Sequence, residues 1–272
     1  MKDNQFGICE WCLAVNGPSA IKIAGMIGFT GIQIGDLGGM GRGFPLLDPR
    51  MQSQYLEAVE QSHVVIHSLH THALTREGGM RHPVDSSKGK DAVISFKNAV
   101  KTCVQMGIDT VMVASFDASG VNNDYDLENT AIMLALFSKI ARDSGVNLVY
   151  EGVMPISKVL RILDKTNCSI KLCFDVLNSI RFGHGYPCDE LKKLSVEMID
   201  HVHLKDAPYN LEGCCTLGEG AGNFKEVVNL INDMKFKGWF FSENYYYLPP
   251  MNQTPGTDLA ANDLSIMKRH LL

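Results

Sequence analysis

The strongest constraint on the fold of this chain is an alternation repeated eight times: a short β-rich run, then a stretch of helical period. The runs are Phe6–Cys9, Gly31–Ile34, Val64–Ser68, Thr110–Ala114, Val146–Glu151, Ile170–Asp175, Ile199–Leu204 and Gly238–Glu243. Several are almost continuously apolar, as in Thr110-Val111-Met112-Val113, the pattern of parallel strands covered on both faces. Between them the helices announce their ends. Asp48-Pro49 places a capping acid before a proline at the first helical position, ahead of Met51, Tyr55 and Val59. Val93, Phe96, Val100 and Cys103 or Val104 form a second apolar stripe, started by Ser86 or Ser87 and closed by Gly107. Met133, Leu136, Phe137 and Ile140 form a third, closed by Gly145; Val227, Val228, Ile231 and Met234 form a fourth, closed by Gly238. Eight strand-helix units fit a closed (β/α)8 TIM barrel, a fold of roughly 250 residues. No Pro/Gly/Ser-rich linker divides the 272 residues, so one α/β domain over 1–272 is expected. An open doubly wound sheet is the alternative. It would carry a glycine-rich phosphate turn after its first strand, to which Asn16-Gly17-Pro18-Ser19 is a poor match, and the Gly35–Gly43 cluster lacks the Lys-Ser/Thr ending of a phosphate loop.

Charge and cysteine usage narrow the partners. With 25 Lys+Arg against 30 Asp+Glu the formal net charge is −5, whereas a binder of phosphate backbone concentrates basic residues. Nucleic acid is therefore not expected as a partner. The sequence has no apolar stretch of about 18 residues and its start, Met1-Lys2-Asp3-Asn4-Gln5, has no signal-peptide core, so a soluble, cytoplasmic chain without a membrane partner is expected. Eight cysteines (9, 12, 103, 168, 173, 188, 214 and 215) then read as free thiols in a reducing compartment. Cys9-Glu10-Trp11-Cys12 is formally a C-x-x-C, but no second pair or paired histidines complete a zinc pattern, which favours buried thiols over a metal or redox site.

In a barrel of this kind, chemistry sits where strands end at their carboxyl side. The fifth run finishes in Tyr150-Glu151 and the sixth in Phe174-Asp175. The seventh is His201-Val202-His203-Leu204-Lys205-Asp206, and the eighth finishes in Ser242-Glu243. A carboxylate at the end of an apolar strand is costly to desolvate without compensation. Any one of these acids could cap a helix or pair with a nearby cation, but four consecutive strands deliver Glu, Asp, His and Glu to one rim. Three carboxylates and one imidazole make a hard ligand set suited to one divalent ion: manganese foremost, with magnesium or cobalt as alternatives. His201 and His203 share a strand face; His203, nearer the rim, is taken as the ligand and His201 as a deeper, hydrogen-bonded core residue.

The order Glu151, Asp175, His203, Glu243, with Leu217-Gly218-Glu219-Gly220 and Trp239-Phe240-Phe241-Ser242-Glu243-Asn244, resembles the xylose isomerase-like TIM barrel family of sugar and sugar-phosphate isomerases and epimerases. The resemblance runs from Gly7 to the eighth strand. It implies that Glu151 and Glu243 ligate the metal and form the acid/base pair that moves a proton beside a carbonyl through an enediolate, while Asp175 and His203 hold the ion. It also implies a small-molecule sugar substrate and a homodimer or homotetramer. Two departures bear on the reaction. Many members carry Asp-x-x-His at the end of strand 6, where this chain has Asp175-Val176-Leu177-Asn178; Asn178 can contact substrate but cannot titrate. The arginine that many epimerases place after the strand 7 histidine is missing, and Lys205 is the nearest cation. Further substrate contacts are expected from His70, among His67, His70 and His72, and from Trp11, among the candidate ring walls Phe6, Trp11 and Tyr245-Tyr246-Tyr247. The long segments Thr71–Gly89 and Ala207–Asn223 are placed to close over a substrate.

Loss of a β-substituent after the same proton abstraction makes a lyase or dehydratase, including the barrel subunits of C-glycoside deglycosidases, the alternative on this site. A sugar-binding barrel without turnover would be expected to have an incomplete ligand set. An abasic-site endonuclease would need extra histidines and a basic groove, whereas strand 4 ends Val113-Ala114-Ser115-Phe116 and the net charge is −5.

Overall fold

Each of the eight β-rich runs becomes a parallel strand in the computed structural model, which describes residues 3–167, 169–209 and 211–272. The order is β1 (Gln5–Cys9), α1 (Pro18–Ile27), β2 (Gly31–Gly35), α2 (Pro49–Ser62), β3 (Val65–His70), α3 (His72–Glu77), α4 (Ser87–Met106), β4 (Thr110–Ser115), α5 (Asp124–Asp143), β5 (Asn147–Gly152), α6 (Ile156–Lys165), β6 (Lys171–Asp175), α7 (Asn178–Arg181), α8 (Pro187–Leu191), β7 (Ile199–Leu204), α9 (Phe224–Asp233), β8 (Trp239–Ser242) and α10 (Gly256–Leu271). Strands pair in chain order and β8 returns to β1, giving a closed (β/α)8 barrel. The chain divides into two compact units, the first Met1–Ile34, Glu57–Ile66 and Cys173–Leu272, the second Gly35–Leu56 and His67–Leu172. Among the described residues no helix is long and apolar enough to cross a membrane.

Local chemistry sets the helix ends. Ser86, not Ser87, caps α4, its hydroxyl accepting from the Gly89 N–H at 3.1 Å, and Gly107 ends the helix in the left-handed region at φ 67°. On that helix Cys103 is buried and Val104 faces out. Asp48 accepts from the Arg50 N–H at 2.9 Å at the start of α2. The buried residues of α2 are Gln52, Tyr55 and Ala58, with Met51 and Val59 only half-buried, so the stripe is rotated from the expected one. Helix α9 stops at Asp233, before Gly238, with Lys235 taking the left-handed turn at φ 57°.

In the first unit the face shared by β1, β2, β7 and β8 alternates large rings with glycine. Register pairs Gly7 with Gly31 and with Phe241. A Cβ on Gly7 would lie 2.2 Å from the Phe241 ring, and one on Gly31 would lie 2.3 Å from Trp239. The two glycines thus make room for Trp239 and Phe241, whose rings stack at 5.5 Å. Phe6 points to the opposite face, onto Phe240 at 6.3 Å, and so belongs to the packed core rather than to a wall of the rim. In the second unit β4 is buried along all six residues, as its unbroken apolar run requires, and Phe96 of α4 stacks on Phe137 of α5 at 4.0 Å.

Candidate active site and metal centre

Asp175, the last residue of β6, uses its two oxygens differently. Oδ1 accepts from the backbone N–H groups of Leu177 at 2.9 Å and Asn178 at 2.8 Å, holding the turn into α7. Oδ2 lies 3.0 Å from the ammonium of Lys205. Helix capping and site building, alternatives on the sequence alone, therefore coexist on one side chain. Strand β7 places His201 and His203, both fully buried, on one face, as its period of two requires, with Lys205 next along that face. Glu243 follows the last residue of β8. Its Oε1 accepts from the indole N–H of Trp11 at 2.9 Å, and its Oε2 accepts from Lys205 Nζ at 2.8 Å and lies 3.3 Å from His203 Nδ1.

Lys205 is only 3% exposed and bridges both carboxylates, with Glu212 at 4.0 Å beyond. Two buried acids thus share one buried cation, and the pair titrates unequally. Burial pushes Asp175 up to about 6; Lys205 opposes this and the Glu243 charge adds to it. Burial would raise Glu243 as well, but Lys205 and His203 outweigh it and hold that carboxyl well below the usual range. His201 donates from Nδ1 to Asp200 at 2.8 Å, and its pKa is lowered by burial, which fits the deeper, hydrogen-bonded role expected of it.

Of the sequence-derived residues, the first unit brings together Asp175, His203, Glu243, Lys205 and Trp11, with Asn178 joined to Asp175 through its backbone N–H. Glu151 and His70 belong to the second unit. Glu151 is buried near the end of β5, level with Ala114 of β4, where the Tyr150 hydroxyl donates to Ser115 at 2.6 Å. His70 is the buried last residue of β3 and its ring lies 4.2 Å from His72, so this pair is not scattered over a surface loop. Tyr246 is buried in a network with Ser242 and Asp263, and Tyr247 is exposed. The seven described cysteines, at 9, 12, 103, 173, 188, 214 and 215, are free; Cys168 lies outside the described residues. Burial pushes the Cys9 and Cys12 thiols up, so the C-x-x-C is a pair of buried thiols.

Four residues near this site escaped the sequence reading. Gln33 of β2, fully buried, contacts His201 and His203, and Asp200 holds His201. Glu212 pairs with Arg181 and faces Lys205. Asp206 accepts from the N–H groups of Ala207, Gly218, Gly220 and Gly222 at 2.9–3.0 Å, which pins the segment after β7. A Cβ on Gly220 would lie 2.2 Å from Asp206 Oδ1, and this explains the glycines of Leu217-Gly218-Glu219-Gly220. For Gln33 a signal was present: the period of two in Gly31-Ile32-Gln33-Ile34-Gly35 sets a lone amide between glycines on one face of a buried strand.

The residues fit a divalent cation. Two carboxylate oxygens already hold an ammonium at 2.8 and 3.0 Å in a buried place, and an imidazole nitrogen stands 3.3 Å from one of them. The Cys9 sulfur is 3.9 Å from His203 Nε2, on the ring edge away from those oxygens, so the donors facing Lys205 are oxygen and nitrogen, a hard set.

The family model for the xylose isomerase-like TIM barrel matches residues 21–270, and the chain belongs to that family. It is 26% identical over 230 residues to 2-epi-5-epi-valiolone 7-phosphate 2-epimerase of Actinoplanes sp., covering 84% of this chain and 82% of the relative. It is 27% identical over 154 residues to inosose dehydratase 2 of Bacillus cereus, across 48% of this chain and 51% of that protein. The crystal structure of D-allulose 3-epimerase from Methylomonas sp. superposes over 100% of this chain and 99% of that one with a TM-score of 0.77 at 17% identity, a likeness of fold.

Proposed function

We propose that this carbohydrate-modifying enzyme is a metal-dependent epimerase or isomerase of a sugar or sugar phosphate, working by proton transfer at a carbon next to a carbonyl. The observation that carries the proposal is the buried group of Asp175, His203 and Glu243 around the Lys205 ammonium. Glu151, at the carboxyl end of β5, is the proposed fourth ligand, so that β5 to β8 each supply one side chain on a single barrel scaffold over 1–272. Manganese is the proposed ion, with magnesium or cobalt serving the same donors. When bound, the ion supplies polarisation of the substrate carbonyl and stabilises the enediolate that follows loss of the neighbouring proton.

The side chains perform the remaining work. Glu243 and Glu151 act as the acid/base pair, one taking the proton and the other returning it to the opposite face. Trp11 fixes one oxygen of Glu243, which turns the other toward the site. Asp175 and His203 hold position without exchanging protons, and Asn178, His70 and Lys205 contact substrate hydroxyls. Similarity to the Actinoplanes epimerase over most of both chains supports epimerisation. Similarity to an inosose dehydratase over about half of each chain supports, as the second reading, β-elimination on the same site.

Incubation of the manganese-loaded enzyme with a panel of ketoses, inososes and their phosphates in D2O separates the two. Deuterium beside the carbonyl with no loss of water is the expected result, and Glu243→Gln lowers the exchange rate by about 10²–10⁴-fold. An unsaturated product would replace epimerisation with the dehydratase reading, and exchange undiminished in Glu243→Gln would remove that residue from the acid/base pair.

A further inference from the structure

A run of hydrogen bonds links Asp200 to the metal-facing edge of His203, and the donors in it can be ordered from its charged end. Asp200 is an acid and accepts, so the His201 nitrogen 2.8 Å away, Nδ1, carries a proton. The neutral, fully buried His201 ring then accepts at Nε2, and the group 2.9 Å from it is the Gln33 amide nitrogen, which donates. The Gln33 amide carbonyl consequently points the other way. It receives two donors, the Cys9 thiol at 3.2 Å and His203 Nε2 at 2.6 Å. A ring nitrogen that donates at Nε2 leaves the lone pair of a neutral imidazole on Nδ1, the atom 3.3 Å from Glu243 Oε2 and on the same side as Lys205.

We propose that Gln33 is a positioning residue that converts the Asp200–His201 contact into a fixed tautomer of His203, with Nε2 protonated and the Nδ1 lone pair aimed at the acidic pair. An amide suits this place because it is a donor at one end and an acceptor at the other, so a single side chain can tell two neighbouring imidazoles to take opposite roles. The two glycines flanking it on the strand face, Gly31 and Gly35, leave that face to the amide and the neighbouring rings. Ligating histidines are commonly fixed through their second nitrogen by a carboxylate or a carbonyl. Here the carboxylate acts at one remove, through His201 and Gln33. The consequence for ligation rests on the proposed metal site; the tautomer itself does not.

The test uses the full chain labelled with 15N-histidine, stripped of metal by chelation, with the His203 ring nitrogens assigned by long-range proton–nitrogen correlation. Wild type is expected to show His203 protonated at Nε2 alone. Gln33→Met, which removes both bonds at similar length, is expected to give a mixture of tautomers and to weaken cobalt(II) binding, followed by visible absorption, by about 10–100-fold. Gln33→Glu keeps an acceptor for His203, and is expected to preserve its Nε2–H tautomer while His201 becomes doubly protonated. Should Gln33→Met fail to fold, wild type and Gln33→Glu still decide the matter. A wild-type His203 protonated at Nδ1, or a tautomer unchanged in Gln33→Met, overturns the proposal. The expected tautomers in a wild-type protein that binds no cobalt support the relay and sink the metal site instead.

Discussion

Asp175 and Glu243 share Lys205, yet burial and mutual repulsion leave Asp175 as the acid that keeps its proton longer, up to about pH 6. A cation must displace that proton to use Asp175 Oδ2. Affinity is therefore full above about pH 6 and is lost as pH falls through it, by about tenfold per unit for one proton. Calorimetric titration with manganese from pH 5 to 8 checks this; a flat profile would exclude Asp175 as a ligand. Lys205→Met leaves two buried carboxylates facing each other without their ammonium. The metal-free variant is expected to lose about 3 kcal/mol of stability in urea unfolding, and manganese is expected to stabilise it more than wild type. Much of this site was legible in the sequence, because a Glu, Asp or His at the end of an apolar run is conspicuous. Gln33 was not, since an uncharged residue inside a strand advertises no chemistry until its two histidine neighbours are in place.

At the level of elements, all eight strands were legible because parallel strands buried on both faces must be nearly continuous apolar runs. Long helices showed through their caps, Ser86 and Gly107 above all. The short helices α3, α7 and α8 did not: at 4–6 residues they have too few turns to display a period, and tertiary contacts hold them, as Asp175 holds the entry to α7. Strand β3 runs on to His70, two residues past the expected end, because Thr71 N–H still bonds to Met112 O of β4 at 3.0 Å. The glycines of β1 and β2 gave no sequence signal of their purpose, which lies in the rings opposite. Gly7→Ala sets a methyl where the Phe241 ring now is, and is expected to cost about 1–3 kcal/mol by overpacking. Phe241 also flanks His201 at 5.5 Å, so the same change should loosen metal binding. Thermal unfolding and a cobalt titration of this variant read both effects; unaltered stability would show that the ring moves aside freely.

For the molecule as a whole, the arithmetic of 30 acids against 25 bases conceals where the charges lie. Two of those acids, Asp175 and Glu243, are buried around one lysine, and Glu151 is a third buried at a strand end. Membership of the xylose isomerase-like family and a barrel whose rim gathers acids and imidazole belong together, because such a rim is where a sugar carbonyl can be polarised and its neighbouring proton moved. Epimerisation and β-elimination share that first step, which is why the residues of the rim point to the step more firmly than to the product. The claim on which both rest is that the rim holds a divalent ion. Elemental mass spectrometry of the full chain, dialysed against manganese and then against buffer, measures it directly: about one ion per chain in wild type and little in Glu243→Gln is the expected result. A folded wild-type protein that retains no more metal than the variant would contradict the account.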